Sequence, residues 1–328
     1  MYYPERIKQA PMTGLAGFGG GASGLGTAGA AGLQFVNGGD RGIWAGGTPA
    51  GAFWSDIGYA DITSPGNASD FGDMSGIPRG YHDGCSNGTR GCYAGGWTDG
   101  WGAQNTIDYI TFSSTGNGTD FGDLTSGRSS LMSTSSAVRG LWIGGASNII
   151  DYVTIASTGN ATDFGDTSSN ATNGGACSDG VIGLLHVGAP AGTPSNVLEY
   201  VTIATTGNMT DFGDLSSNMG AQDNTDCIGN NVYGLIWSGT SGGGKPGVID
   251  RIALATTGNA SDFGDMAVAT HGGRGCCNAT RAVYGGGWAS SIHNVMQYVE
   301  IGTPGNASDF GDLTQIQHGP ASCSGAPS

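Results

Sequence analysis

The chain is predicted to be all-β and to form a six-bladed propeller, on three observations. The phrase GNASDFGD at 66–73 returns as GNGTDFGD at 116–123, GNATDFGD at 159–166, GNMTDFGD at 207–214, and GNASDFGD at 258–265 and 305–312. Its asparagines, at 67, 117, 160, 208, 259 and 306, are spaced by 50, 43, 48, 51 and 47 residues, a period that accommodates about four short strands. The 3.6-residue apolar period of a helix is absent throughout. What every unit shares describes architecture, so functional chemistry is expected where the units differ.

Residues 1–26 lack the unit's phrases. They hold Tyr2, Tyr3 and Pro4, the charged group Glu5, Arg6 and Lys8, and a glycine-rich stretch, MTGLAGFGGGASG. With too little apolar periodicity to fold alone, this segment is expected to be an extended N-terminal arm that orders against a partner, with Tyr2, Tyr3, Arg6 and Lys8 as candidate contacts. The propeller then occupies 27–328.

Each unit opens on small residues: GCSNGT at 84–89, ACSDGV at 176–181, DCIGNN at 226–231, CCNATR at 276–281 and SCSGAP at 322–327. Small side chains suit an innermost strand, where blades crowd around an axis. A short apolar strand ending in a glycine pair follows: RGIWAGG at 41–47, RGCYAGGW at 90–97, RGLWIGG at 139–145 and RAVYGGGW at 281–288. The glycines permit a turn with positive φ. The third strand reads NTIDYITF, NIIDYVTI, NVLEYVTI, GVIDRIAL and NVMQYVEI, rich in β-branched and aromatic residues and apolar on both faces, as befits a sheet covered on each side. A TTGN-type turn leads to an outer strand of the ATDFGD type. The chain ends on SCSG, the start of a unit that never continues, so Ala321 to Ser324 is expected to be the innermost strand of the first blade, pairing with Arg41 to Ala45; Leu33 to Asn37 competes for that place.

This strand order resembles the kelch repeat, with glycine pairs at Gly46–Gly47, Gly95–Gly96, Gly144–Gly145 and Gly286–Gly287; Val187–Gly188 and Ser238–Gly239 depart from it, and the Phe of DFGD stands where kelch repeats carry an outer Trp. More narrowly, strands like IDYVTI leading into TTGNASDFGD, with segments like CSNGTRG between, resemble repeats in virion structural proteins of tailed phages of marine bacteria. That resemblance implies a kelch-like propeller that is a non-enzymatic, tail-fibre-like or capsid-decorating component of a virion assembled in the host cytoplasm. The arm, with its aromatics and basic pair, is then expected to dock the propeller onto another virion protein.

Composition narrows the classes. Net charge is −15 with only two lysines, Lys8 and Lys245, so a nucleic-acid backbone would meet a repulsive surface. No apolar stretch reaches the roughly twenty residues of a membrane span, and the N-terminus lacks a signal-like apolar run, so a soluble protein with no membrane insertion is expected. Seven cysteines, placed by the repeat, read as reduced thiols.

Candidate chemistry is sparse. DFGD in six copies, with almost no lysine, does not read as a kinase magnesium site, and two carboxylates three residues apart fall short of a calcium shell. One Asp is expected to cap a turn and the other to pair with an Arg such as Arg90 or Arg139, while the sequon asparagines stabilise their own hairpin by local bonds. Cys85, Cys177, Cys227, Cys277 and Cys323 fall at matching places on the innermost strands, with Thr134 and Ser135 there in the third unit; a soft-metal ring is weighed against small buried hydrophobes, and the second is favoured. His271 and His318 both precede an innermost strand and could approach each other, but no complete ligand set, catalytic constellation or cofactor is expected. Recognition would sit in the unequal loops Pro49 to Trp54, Trp97 to Asn105, His186 to Ser195 and Ser238 to Gly247. There Trp97 and Trp101 are a candidate pair for stacking on a sugar or for packing. The alternative readings are a glycan-binding, lectin-like propeller on a cell or virion surface and, third, a copper oxidase of the galactose oxidase type.

Overall fold

The computed structural model describes residues 39–49, 51–100, 102–219, 225–237 and 247–326; the arm expected over 1–26 lies outside them. Six antiparallel four-stranded sheets stand in a propeller arrangement. Blade one runs from its innermost strand Ala321–Gly325 through Arg41–Ala45 and Asp56–Asp61 to Ser69–Asp73. Blade two is Asp83–Ser86, Arg90–Ala94, Thr106–Thr111 and Thr119–Asp123. Blade three is Leu131–Ser135, Arg139–Gly144, Ser147–Thr154 and Thr162–Ala171, and blade four is Gly175–Ser178, Ile182–His186, Ser195–Thr202 and Thr210–Met219. Blade five is Asp226–Gly229, Tyr233–Trp237, Val248–Ala253 and Ser261–Asp265, and blade six is Arg274–Cys277, Arg281–Gly285, Val295–Glu300 and Ser308–Asp312. The C-terminal strand closes the ring as the repeat predicts, with Ala321 opposite Ala45, Cys323 opposite Ile43 and Gly325 opposite Arg41.

Among the described residues there is one apolar cluster per blade junction and no single central core. Ile43, Phe71, Tyr93 and Phe112 join blades one and two; Ile107, Phe121, Trp142 and Ile155 join two and three; four further clusters complete the circuit. Strand periodicity explains this. Along Thr106–Thr111, Ile107 faces blade three while Asp108 and Ile110 face blade one, because successive side chains alternate between the covered faces.

The repeated phrase is a clasp between blades. Gly116 N–H and Gly118 N–H of blade two donate to the carbonyls of Phe71 and Asp73 of blade one at 2.8 and 2.7 Å, and Asn117 Oδ1 accepts from Asp73 N–H at 3.1 Å. The same three bonds recur at every junction, ending with Gly66, Ala68 and Asn67 on the outer strand of blade six. At each outer strand the register skips the Phe of DFGD, a β-bulge. The following glycine has φ near +150° and no room for a Cβ: one built on Gly165 would lie 2.3 Å from Gly207 O. The sequon asparagines therefore serve a neighbouring blade and not their own hairpin.

The expected Asp–Arg pairing is likewise corrected. The Arg90 guanidinium stacks over Tyr109 at 4.2 Å and donates to Ile155 O of blade three at 2.9 Å, and Arg139 does the same with Tyr152 at 4.6 Å and Ile203 O at 3.0 Å. Buried carboxylates on the third strands do pair. Arg79 donates to Asp108 at 2.6 Å and Arg128 to Asp151 at 2.5 Å, each pair almost wholly out of solvent. Ser168 bonds Glu199 and Ser216 bonds Asp250 at the equivalent places. An acid on an apolar face must find such a partner.

Candidate functional site

The axis is built in layers by the innermost strands. At one end a chain of side chains runs from blade to blade. Ser86 Oγ donates to Ser324 O, Ser135 Oγ to Ser86 O, Ser178 Oγ to Ser135 O and Ser324 Oγ to Cys277 O, at 2.5 to 2.7 Å, and Cys277 Sγ donates to Gly229 O at 2.9 Å. The cysteine alignment expected from sequence is corrected by register. Cys323, Cys85, Thr134, Cys177, Ile228 and Cys276 are equivalent, because they sit opposite Ile43, Cys92, Leu141, Leu184, Leu235 and Val283. Cys227 lies one residue before that position and Cys277 one after. The equivalent thiols wedge between blades: a Cβ on Gly91 would touch Cys323 Sγ at 2.7 Å and one on Gly140 Cys85 Sγ at 2.6 Å. Burial pushes Cys323 up to about 12 and Cys85 well above the usual thiol range, so both stay protonated.

Further along the axis lie three charges. Asp83 accepts the N–H of Ser133 in blade three at 2.7 Å, and Asp226 accepts the N–H of Gly275 in blade six at 2.6 Å. Arg274 of blade six reaches Asp83 at 3.5 Å, an ion pair too long for a good hydrogen bond, while its Nη1 donates to Thr225 O at 2.9 Å. Burial lifts Asp226 to about 7 against the pull of Arg274.

A backbone collar lies at the end of the axis opposite the serine chain. Gly319 N–H donates to Gly272 O, Tyr81 to Gly319, Ser130 to Tyr81, Asn173 to Ser130 and Thr225 to Asn173, over 2.6 to 3.3 Å. Five of its members, Gly272, Gly319, Tyr81, Ser130 and Asn173, have φ between 53° and 69°. The left-handed form costs each non-glycine member about 1 kcal/mol.

Above the collar a cavity of about 700 Å³ opens on the face that carries the loops between second and third strands. Phe53, Tyr81, His318 and His271 form an edge-to-face row across it, with ring centroids 6.5, 5.4 and 5.7 Å apart, and Tyr81 Oη lies 3.1 Å from His318 Nδ1. Thr48, Asp99, Trp288 and Ile292 complete the wall. Burial, the neighbouring His271 and Arg274 bring His318 down to about 4, so it is neutral at physiological pH.

The expected approach of His271 and His318 is thus observed. Two of the unequal loops, 49–54 and 97–105, contribute Gly51, Phe53, Asp99 and Gly100 to the cavity. Trp97 is half-buried, paired through its backbone with Gly80 and Ala103. Trp101, Tyr2, Tyr3, Arg6 and Lys8 lie outside the described residues, as does most of the loop 238–247. His186 is structural: it contacts Thr225 Oγ1 at 2.9 Å and Ser195 O at 3.0 Å, and burial brings it to about 4. Among the described residues no cluster of three or more His, Cys, Asp or Glu is arranged to hold a metal ion. Trp288 and Tyr81 were not singled out by sequence, although the GGGW that ends a second strand marks the first of them. Comparison with known proteins finds no protein-family model and no curated protein that matches the chain.

Proposed function

We propose that the chain is a non-enzymatic structural component of a phage virion, a rigid ring that attaches through its N-terminal arm to other virion proteins and turns one face outward. What carries this reading is a division of labour within the unit. The residues that recur in all six copies are consumed in joining blades, as the Asn clasp and the bulge glycine are, whereas residues peculiar to single units gather around one mouth of the axis. The buried, protonated thiols and the neutral His318 and His186 suit a scaffold and offer no activated nucleophile. The repeat's resemblance to virion proteins of marine phages supports the location. Gold-labelled antibody against the chain should decorate purified particles, and particles assembled with a chain lacking residues 1–20 should go unlabelled although the truncated ring folds. Unlabelled wild-type particles would defeat the proposal, and labelled truncated ones would defeat the role of the arm.

A further inference from the structure

We propose that the cavity above the collar is a binding site for a neutral, short saccharide whose apolar ring face lies on Trp288. The inference rests on reading this face as the recognition face, and it names what that face recognises. Its volume, about 700 Å³, lies within the roughly 300–1,000 Å³ of pockets that enclose small ligands. Among the exposed large apolar side chains of the described residues, Trp288 is the one aromatic, 40% exposed at the rim. Its backbone is fixed by bridges to His271 and Ile292, so the indole is presented from a held segment. An indole pairs an apolar face with a polar edge, as does a pyranose with C–H groups on one face and hydroxyls at its rim.

Charge decides the ligand class. Asp99 stands exposed in the wall and repels an anion. An aromatic wall beside a carboxylate also suits a cation. A cation drawn to Asp99, however, would sit at an exposed carboxylate, where solvent leaves an ion pair worth little against the cost of desolvating the charge. A ligand without net charge meets neither penalty. Thr48, Tyr81 and His318 line the cavity with hydroxyl and imidazole groups, Tyr81 Oη and His318 Nδ1 being bonded to each other at 3.1 Å.

The test is calorimetric titration of the full chain with maltose, lactose, cellobiose and N,N′-diacetylchitobiose, alongside choline and glucose 6-phosphate. At least one neutral sugar should bind with Kd of about 1 mM or tighter, and Trp288→Ala should weaken it at least tenfold at unchanged melting temperature. If that variant melts early, Ile292→Trp, which fills the cavity, should abolish binding instead. The proposal is overturned if no neutral sugar binds, if choline or glucose 6-phosphate binds more tightly than every neutral sugar, or if the variants keep wild-type affinity. Because the isolated chain is titrated, a negative result leaves particle labelling untouched, and absence from particles leaves the titration untouched.

Discussion

Replacing Gly165 by alanine probes the clasp at a bulge glycine that leaves no room for a side chain. Gly165 has φ +148°, and its added Cβ would lie 2.3 Å from the carbonyl oxygen and 2.5 Å from the carbonyl carbon of Gly207 in the next blade. The neighbour is backbone and cannot swing aside, so blade four must retreat from blade three. Holding an alanine in this region of φ costs about 1–3 kcal/mol. The retreat also releases the bonds from Gly207 N–H to Phe164 O and from Met209 N–H to Asp166 O, both 2.8 Å, and the 3.1 Å bond from Asp166 N–H to Asn208 Oδ1. At about 0.5–1.5 kcal/mol each, the expected loss is about 3–7 kcal/mol, or a melting temperature lower by about 6–14 °C for a chain of this size. The control lies across the same junction. Gly207 has ordinary φ and nothing within 4 Å of its added Cβ, so Gly207→Ala should melt within about 2 °C of wild type. Scanning calorimetry of both variants decides: equal melting temperatures, or the larger loss in Gly207→Ala, would refute the clasp.

Three further outcomes are expected. Deleting residues 316–328 removes the innermost strand of blade one, and the opened ring should lose its cooperative melting and elute as larger species in size exclusion; an unchanged melting curve would deny the closure. Stability should fall with acid. His186 and His318 have folded values near 4, below the unfolded value near 6.5, so their stabilisation is present above pH 6.5 and is lost between 6.5 and 4. Asp226, raised to about 7, works in the opposite sense over the same range, so Asp226→Asn should steepen the acid loss in a melting-temperature series; a shallower slope would contradict the assignment. Finally, Arg90→Tyr and Tyr109→Arg should each destabilise, while the double exchange recovers about 0.5–1 kcal/mol in a urea double-mutant cycle; strict additivity would show that the stack contributes nothing.

Blade boundaries and the closing strand were legible because the units repeat in letters: SCSG at 322–325 matches the opening of the other units, and the register bears it out. Where the letters degenerate, legibility fails. In DCIG and RGCC several small residues compete for one position, and only pairing with Leu235 and Val283 shows that Ile228 and Cys276 are the equivalents of Cys85. The asparagine clasp was misread as local because its partner lies some forty residues back along the chain. The buried acids left a usable signal, a carboxylate at one fixed place of an apolar strand in Asp108, Asp151, Glu199 and Asp250. The collar left none, since the left-handed position is filled by Tyr81, Ser130, Asn173, Gly272 or Gly319, which share only a backbone angle.

The cross-blade devices are not evenly spread, and their gaps coincide. Arg41, Arg90, Arg139 and Arg281 each bond the next blade's carbonyl, but blade four has Ile182 at that place and blade five has Tyr233. Blade five keeps the stack with its partners exchanged, Arg251 lying 4.7 Å from the Tyr233 ring, and so preserves the contact within the blade without the bond between blades. The serine chain lacks its link from blade five to blade four because Gly229 has no side chain to donate. The collar, too, is closed at Thr225 by the side chain of Arg274 where backbone serves elsewhere. Among the described residues these three layers are thus thinnest around blade five, where Asn230 Nδ2 donates to Ala279 O and Cys227 Sγ to Cys177 Sγ in their place, and a ring held by nearest-neighbour contacts opens where those contacts are fewest. Hydrogen exchange read by mass spectrometry should therefore show the amides of Asp226–Gly229 exchanging at least tenfold faster than those of Leu131–Ser135, which lie in the fully stitched blade three; equal protection of the two strands would mean that the apolar junctions alone set where the ring opens.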